Sequence, residues 1–256
     1  MRKYLALALA GVLTVALANF AYAADSPQSL DVQLTPTKLD KKKYSPAQIV
    51  VDVATTADKS QNPNLDQPPS ATRTQVDFTS NLKFDSDAVD KCKVDSSALT
   101  NTTTQQAIDA CGKSSQVTID SGSSGQVTFD PSPASPDTMP IVVPVVITGF
   151  NGNKEDTLYL HSRVDSLNNT TILTGKLVNG PSGFGKTLDV TIPPLDAGAI
   201  SDFLTTVKAG KYVQARCKSK TNNFQARSTY SNHPDTTATD STTCKQKKSK
   251  KKGGKK

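Results

Sequence analysis

Apolar and polar residues alternate with a period of two along much of the chain. The segments 29–35 (SLDVQLT), 48–53 (QIVVDV), 156–164 (DTLYLHSRV), 171–178 (TILTGKLV) and 186–192 (KTLDVTI) all have it. That spacing puts one face of a strand on a core and the other on solvent. IVVPVVITGF at 141–150 is more continuously apolar and suits a central strand, with Pro144 pointing to an edge or a bulge. Two segments read as helices. TTTQQAIDAC at 102–111 runs into Gly112, a natural stop. LDAGAISDFLTTVKAG at 195–210 gathers Ile200, Phe203, Leu204 and Val207 on one side of a helix ending at Gly210.

Composition agrees with the strand-rich pattern. Of the 23 acidic residues only Glu155 is a glutamate. Asp, with abundant Ser, Thr and Asn, favours turns and strands over helices. The expectation is an all-β, disulfide-stabilised domain of sandwich type with one or two short helices. It spans 24–244 as one body or as two packed halves, the Pro-rich stretch at 130–140 being the candidate boundary.

One motif argues for different chemistry. GPSGFGKT at 180–187 fits the G-x-x-x-x-G-K-[ST] pattern of a phosphate-binding loop at every defined position. Such a loop needs a helix starting at its GK[ST] end, where free N–H groups hold the phosphates. Here LDVTIPP follows, with strand periodicity and two prolines that break any helix. With the alternating segment upstream, the stretch reads as a hairpin turn, and no nucleotide is expected.

The N-terminal end predicts export. Arg2 and Lys3 precede an apolar run from Tyr4 to Phe20, and AYA at 21–23 supplies the small residues of a cleavage site. Residues 1–23 therefore read as a signal peptide, and the mature chain as secreted or held in the cell envelope. The four cysteines, Cys92, Cys111, Cys217 and Cys244, suit that oxidising compartment. Of three possible connectivities, Cys92–Cys111 and Cys217–Cys244 close the shorter loops. Zinc is disfavoured because no pair has C-x-x-C spacing and only His161 and His233 could assist.

Charge is split between body and tail. Residues 24–244 hold 20 basic and 23 acidic side chains, while KQKKSKKKGGKK at 245–256 carries Lys245, Lys247, Lys248, Lys250, Lys251, Lys252, Lys255 and Lys256. A Lys run with Gly and Ser buries no apolar area and is expected to be disordered. Its natural partners are an anionic envelope polymer or lipid surface. Lysine lacks the arginine fork, so no specific nucleic acid is implied.

Catalytic signals are sparse. His161 lies on a strand with Tyr159 and Arg163 on its face and reads as an exposed strand residue. His233, in SNHPD, reads as part of a turn before Pro234. DSDAVD at 85–90 and NGNKED at 151–156 cluster oxygen ligands without the Gly and distal Glu of a calcium loop, and read as turns. No catalytic residue, metal or cofactor is assigned.

Several stretches carry a resemblance: FTSNLKFDSDAVDKCKV (78–94), AC (110–111) before GKSSQVTID, GFNGNKEDTLYLHSRV (149–164), GFGKTLDVTIPPL (183–195) and YVQARCKS (212–219). Together they are similar to a group of uncharacterised exported actinobacterial β-rich proteins with two cysteine pairs. Where that group has a glycine-based motif after the second cysteine, this chain reads IDSGSSGQ at 119–126. The resemblance implies an export signal and the two cysteine pairs, and brings no activity. The functional expectation is a non-enzymatic binding or structural protein with an adhesive basic tail. The alternative is a secreted hydrolase using Asp residues and His161 in a cleft.

Overall fold

The computed structural model describes residues 27–59, 67–120, 123–130, 139–195 and 198–247. Residues 1–23, read from the sequence as a signal peptide, and the tail from Lys248 onward lie outside the described residues. Among the described residues sixteen strands and one α-helix run in chain order: β1 (Gln28–Thr35), β2 (Lys38–Leu39), β3 (Ser45–Pro46), β4 (Gln48–Thr55), β5 (Ala71–Thr79), β6 (Leu82–Phe84), α1 (Thr104–Cys111), β7 (Ser124–Phe129), β8 (Ile141–Asn151) and β9 (Thr157–Val164). There follow β10 (Asn169–Asn179), β11 (Phe184–Thr191), β12 (Ala199–Val207), β13 (Val213–Ala215), β14 (Thr221–Tyr230), β15 (Thr236–Thr243) and β16 (Lys245–Gln246). The fold is all-β.

Eleven strands form one antiparallel sheet in the order β1-β4-β12-β7-β8-β9-β10-β11-β5-β14-β15. The sheet curls until its edges, β1 and β15, lie side by side. The facing layers expected from the sequence are therefore opposite walls of one nearly closed barrel. Side chains seal the seam. The Val32 N–H donates to Asp240 Oδ2 at 2.8 Å, and Gln28 bonds Ser228 and Thr236 across it. Below the seam β16 pairs in parallel with β2, so the first residues of the Lys tail belong to the fold. The chain leaves the domain later than the expected boundary at 244, because the β2–β16 pair continues the closure that β1 and β15 begin.

One wall overturns a sequence expectation. The segment 195–210, read as a helix, contains β12, which pairs with β4 and β7. A bulge between Ile200 and Asp202 explains the misreading. The extra residue turns Ile200 and Phe203 to the same, inner face, which mimics the i, i+3 spacing of a helix. Ile200, Thr205, Thr206 and Val207 are β-branched and suit a strand.

Other expectations are met. β8 is a central strand, and Pro144 sits where β7 pairs with it but β9, whose register begins at Val146, does not. α1 starts with a capping box. Gln106 N–H donates to the Thr103 hydroxyl, and Thr103 N–H donates to Gln106 Oε1. Gly112 ends it at φ +88°, a conformation that disfavours any side chain.

The stretch between β6 and β7 forms a cap on the outer face of β8–β10. It carries the Cys92–Cys111 disulfide. Cys92, Leu99, Ala107 and Cys111 pack on Phe150 and Tyr159 as a small second core, separate from the barrel core. Hence β9 is buried on both faces. The second disulfide, Cys217–Cys244, ties the segment after β13 to the end of β15.

Candidate functional site

The barrel has two unlike ends. At one, β6 pairs with β13, and Phe78, Phe84 and Tyr212 form an aromatic floor, with ring centroids 4.8 and 6.3 Å apart. Burial pushes the Tyr212 phenol above its ordinary range, so it stays neutral. The Cys217–Cys244 bridge lies at this end. At the other end Thr55, Ala71, Ile192 and Ile200 border the interior, and no disulfide crosses it among the described residues.

Between floor and mouth the interior is not filled. A cavity of about 110 Å³ is walled by Val51, Val53, Leu160, Leu173, Val190 and Phe203. It arises because the inward side chains are medium-sized and eleven strands enclose more volume than they occupy. Among the described residues no charged side chain lines it, and its polar side chains are Thr55, Thr74, Thr205, Tyr212 and Ser228. Thr74 and Ser228 satisfy each other at 2.9 Å, and Gln28 donates to Ser228. An apolar cavity of this kind stays dry and takes up apolar solutes.

A smaller void of about 40 Å³ adjoins it behind Leu173, Ile200 and Phe203, which line both. Val145, Ile147, Ser162, Thr171, Gln126 and Asp202 are among its other lining residues. Ser162 is 9% exposed, and its hydroxyl has no hydrogen-bond partner among the described residues. A depression at the mouth, lined by Ser70, Pro193, Pro194 and Leu195, shares Ala71, Ile192 and Ile200 with the chamber. Exposed apolar residues gather at the same end: Met139, Ile141 and Val142 at the start of β8, and Leu167 in the turn between β9 and β10.

The residues singled out from the sequence lie elsewhere. His161 is fully buried beneath the cap, which corrects the expectation of an exposed strand residue. The alternation placed it off the barrel core correctly, but a second layer covers that face. Its Nε2 lies 3.1 Å from Thr102 Oγ1 and 3.2 Å from the Thr102 carbonyl. Its Nδ1 has no partner among the described residues. Desolvation, aided by nearby Arg163, lowers its pKa from the ordinary histidine value. Among the described residues no carboxylate hydrogen-bonds it. Arg163 instead binds Asp165, Asn168 and Thr170.

GPSGFGKT is the hairpin turn between β10 and β11. Gly180 N–H donates to the Gly185 carbonyl and Phe184 N–H to that of Pro181, with Gly183 at φ +93°. A strand, not a helix, follows it. Thr187 Oγ1 donates to buried Asp77 at 2.5 Å, and Lys186 Nζ lies 3.7 Å from Asp156. The two side chains that would serve a phosphate are engaged within the fold.

His233 does precede Pro234 in a turn, with Nε2 2.9 Å from Asp58. Segment 85–90 is tied down by Asn151, whose Nδ2 donates to the carbonyls of Ser86, Val89 and Asp90. No group of three His, Cys, Asp or Glu suited to a metal occurs among the described residues. Of the tail lysines, Lys245 and Lys247 are exposed beside the barrel floor; the other six lie outside the described residues.

Sequence reasoning missed one polar pair. Asp52 on β4 and Asp202 on β12 lie near each other on the outer wall, where both line one shallow depression. Desolvation, then the neighbouring Asp202 carboxyl, pushes Asp52 up to about 6. Each Asp looks like an ordinary polar strand position, and only strand order brings them together.

No family model matches the chain, and no curated protein matches its sequence.

Proposed function

We propose that the protein is a secreted or envelope-held, non-enzymatic binding protein that takes a small apolar ligand into its barrel. The carrying observation is the unfilled, uncharged chamber walled by Val51, Val53, Leu160, Leu173, Val190 and Phe203. Two disulfides fit an oxidising, extracytoplasmic setting. No helix among the described residues is long and apolar enough to cross a membrane. The hydrolase alternative is weakened by the position of His161, sealed beneath the cap and without a carboxylate partner among the described residues.

Benzene is a suitable first probe, since an engineered apolar cavity of about 150 Å³ takes it up. Millimolar benzene should raise the melting temperature in a concentration-dependent way, as ligand binding to the native state requires. Unchanged melting in benzene and in every other apolar probe of that size rejects the reading.

The tail belongs to the same proposal. Near an anionic surface each lysine contributes up to about 1 kcal/mol, and the attraction fades as the Debye length falls from ~10 Å at 0.1 M salt to ~3 Å at 1 M. The mature protein should co-sediment with phosphatidylserine vesicles or anionic wall fragments at low salt and be released at high salt. A version ending at Lys247 keeps β16 and should stay in solution. Equal binding by that version moves adhesion from the tail to the barrel.

A further inference from the structure

The two voids differ in a way that restricts the ligand. Among the described residues the main chamber offers no charged group, and the polar side chains on its wall include a Thr74–Ser228 pair that is already satisfied. An ionised ligand taken inside would lose its hydration without a counter-charge, a cost far above any apolar gain. The guest is therefore neutral. Its size follows from the space. The two voids, about 110 and 40 Å³, together approach the volume that admits benzene, so the guest has on the order of six to eight non-hydrogen atoms.

Ser162 adds the third restriction. Its neighbours on the inner face of β9, Leu158 and Leu160, are apolar and buried, as is Leu173 on the adjacent strand. Amid them Ser162 Oγ is buried in the wall of the smaller void, with its hydrogen-bonding capacity unused among the described residues. A buried hydroxyl left unpaired is destabilising, so its presence there calls for a partner. The partition between this hydroxyl and the main chamber consists of Leu173, Ile200 and Phe203. Ile200 and Phe203 are only half-buried, and they flank the β12 bulge.

Building on the apolar-ligand reading, we infer that the guest is a compact neutral molecule bearing one hydrogen-bonding oxygen. Its hydrocarbon body fills the main chamber, and its hydroxyl or carbonyl meets Ser162 Oγ in the side void. Ser162 is the specificity-determining residue. It accepts from an alcohol or donates to a ketone, so both classes fit, while a carboxylate does not.

Titration calorimetry of the mature protein with cyclohexane, cyclohexanol, cyclohexanone and cyclohexanecarboxylate at neutral pH tests this. The alcohol and the ketone, compared after correction for their transfer free energies from water, should exceed the hydrocarbon about fivefold, the size of one net hydrogen bond. The carboxylate should bind at least about a hundredfold more weakly than the alcohol. Ser162→Ala should erase the fivefold preference and leave cyclohexane binding intact, while Ser162→Thr, which keeps the hydroxyl, should restore it. Val51→Phe, which fills the main chamber, should abolish binding of all of them.

The outcomes separate the two claims. If cyclohexane binds but the oxygenated probes gain nothing, or keep their gain in Ser162→Ala, this inference is wrong and the apolar-ligand reading survives. If no probe binds, both fall. Tight carboxylate binding overturns the neutral-guest argument alone.

Discussion

Strand β9 has two buried faces that differ in how they are finished. Outward, Tyr159 and its neighbour Phe150 are packed against Leu99, Ala107 and the Cys92–Cys111 bridge. Arg163 on that face has three hydrogen-bond partners. Inward, Leu160 borders empty space and Ser162 has no partner among the described residues. At about 24 cal/mol per Å³, a cavity of about 110 Å³ costs roughly 2.5 kcal/mol. The outer face is filled by apolar side chains, although His161 Nδ1 there is also without a partner among the described residues. The inner void is tolerated because backbone ladders on both sides of each wall strand help to hold it.

If the outer face is the finished one, removing bulk there should hurt most. Phe150→Ala should lower stability by about 4 kcal/mol in urea denaturation, since the ring is fully buried and its surroundings are tied by a disulfide. A loss below about 1 kcal/mol would show that the cap is loosely seated.

Next in size is the cap bridge. Replacing Cys92 and Cys111 together by alanine should cost about 3 kcal/mol on the chain-entropy model for a loop of this length. Hydrogen exchange should rise across 86–118 while the amides of β9 and β10 that pair with each other keep most of their protection. Uniform loss over the barrel would mean that cap and barrel are one cooperative unit.

Enlarging side chains should have opposite signs on the two faces. Ala107→Leu, under the cap, should cost about 2 kcal/mol through overpacking. Val51→Phe, on the half-filled inner wall, should stabilise the ligand-free protein by about 1 kcal/mol. Equal losses at both sites would say that the chamber closes when its wall is disturbed.

Acid should act in opposite directions on two groups outside the barrel interior, one on the bare outer wall and one beneath the cap. Asp52 is raised on folding, so its stabilising share is complete below the ordinary aspartate value and is lost as pH rises through about 6. Because the group is only partly buried, the change is discounted to about 1 kcal/mol. Asp52→Asn should flatten the melting temperature between pH 4 and 6, the window between about 3.8 and about 6. His161 is lowered on folding, so its share is complete above about 6.5 and is lost as pH falls below that. Cap amides should therefore exchange faster on acidification, an effect that His161→Gln should remove.

The smallest effect is at the phosphate-loop look-alike. Lys186→Ala removes a half-exposed lysine 3.7 Å from Asp156 and should change stability by no more than about 0.5 kcal/mol. Neither form should give heat on titration with ATP. Micromolar ATP binding lost in the variant would contradict the hairpin reading.

The parts of this protein legible in its residues are those governed by local rules. Period-two alternation marked β1, β4, β9, β10 and β11. Gly112 marked the end of α1, and the glycines of 180–187 a hairpin, because turns need backbone angles that few residues adopt. Where two local rules compete, reading along the chain fails. A single bulged residue in β12 converted strand spacing into helix spacing, and only pairing with β4 and β7 identifies it as a strand.

The candidate site belongs to tertiary structure almost entirely. Alternation states which face of a strand is apolar, but not what stands opposite. His161 and Leu160 are adjacent in the chain; one lies sealed under a cap and the other beside a void. Asp52 and Asp202 are 150 positions apart and meet because β4 and β12 are neighbours. The chamber is the difference between the volume that eleven strands enclose and the volume that their inward side chains occupy. That difference depends on strand number, tilt and closure, which no residue or local pattern encodes.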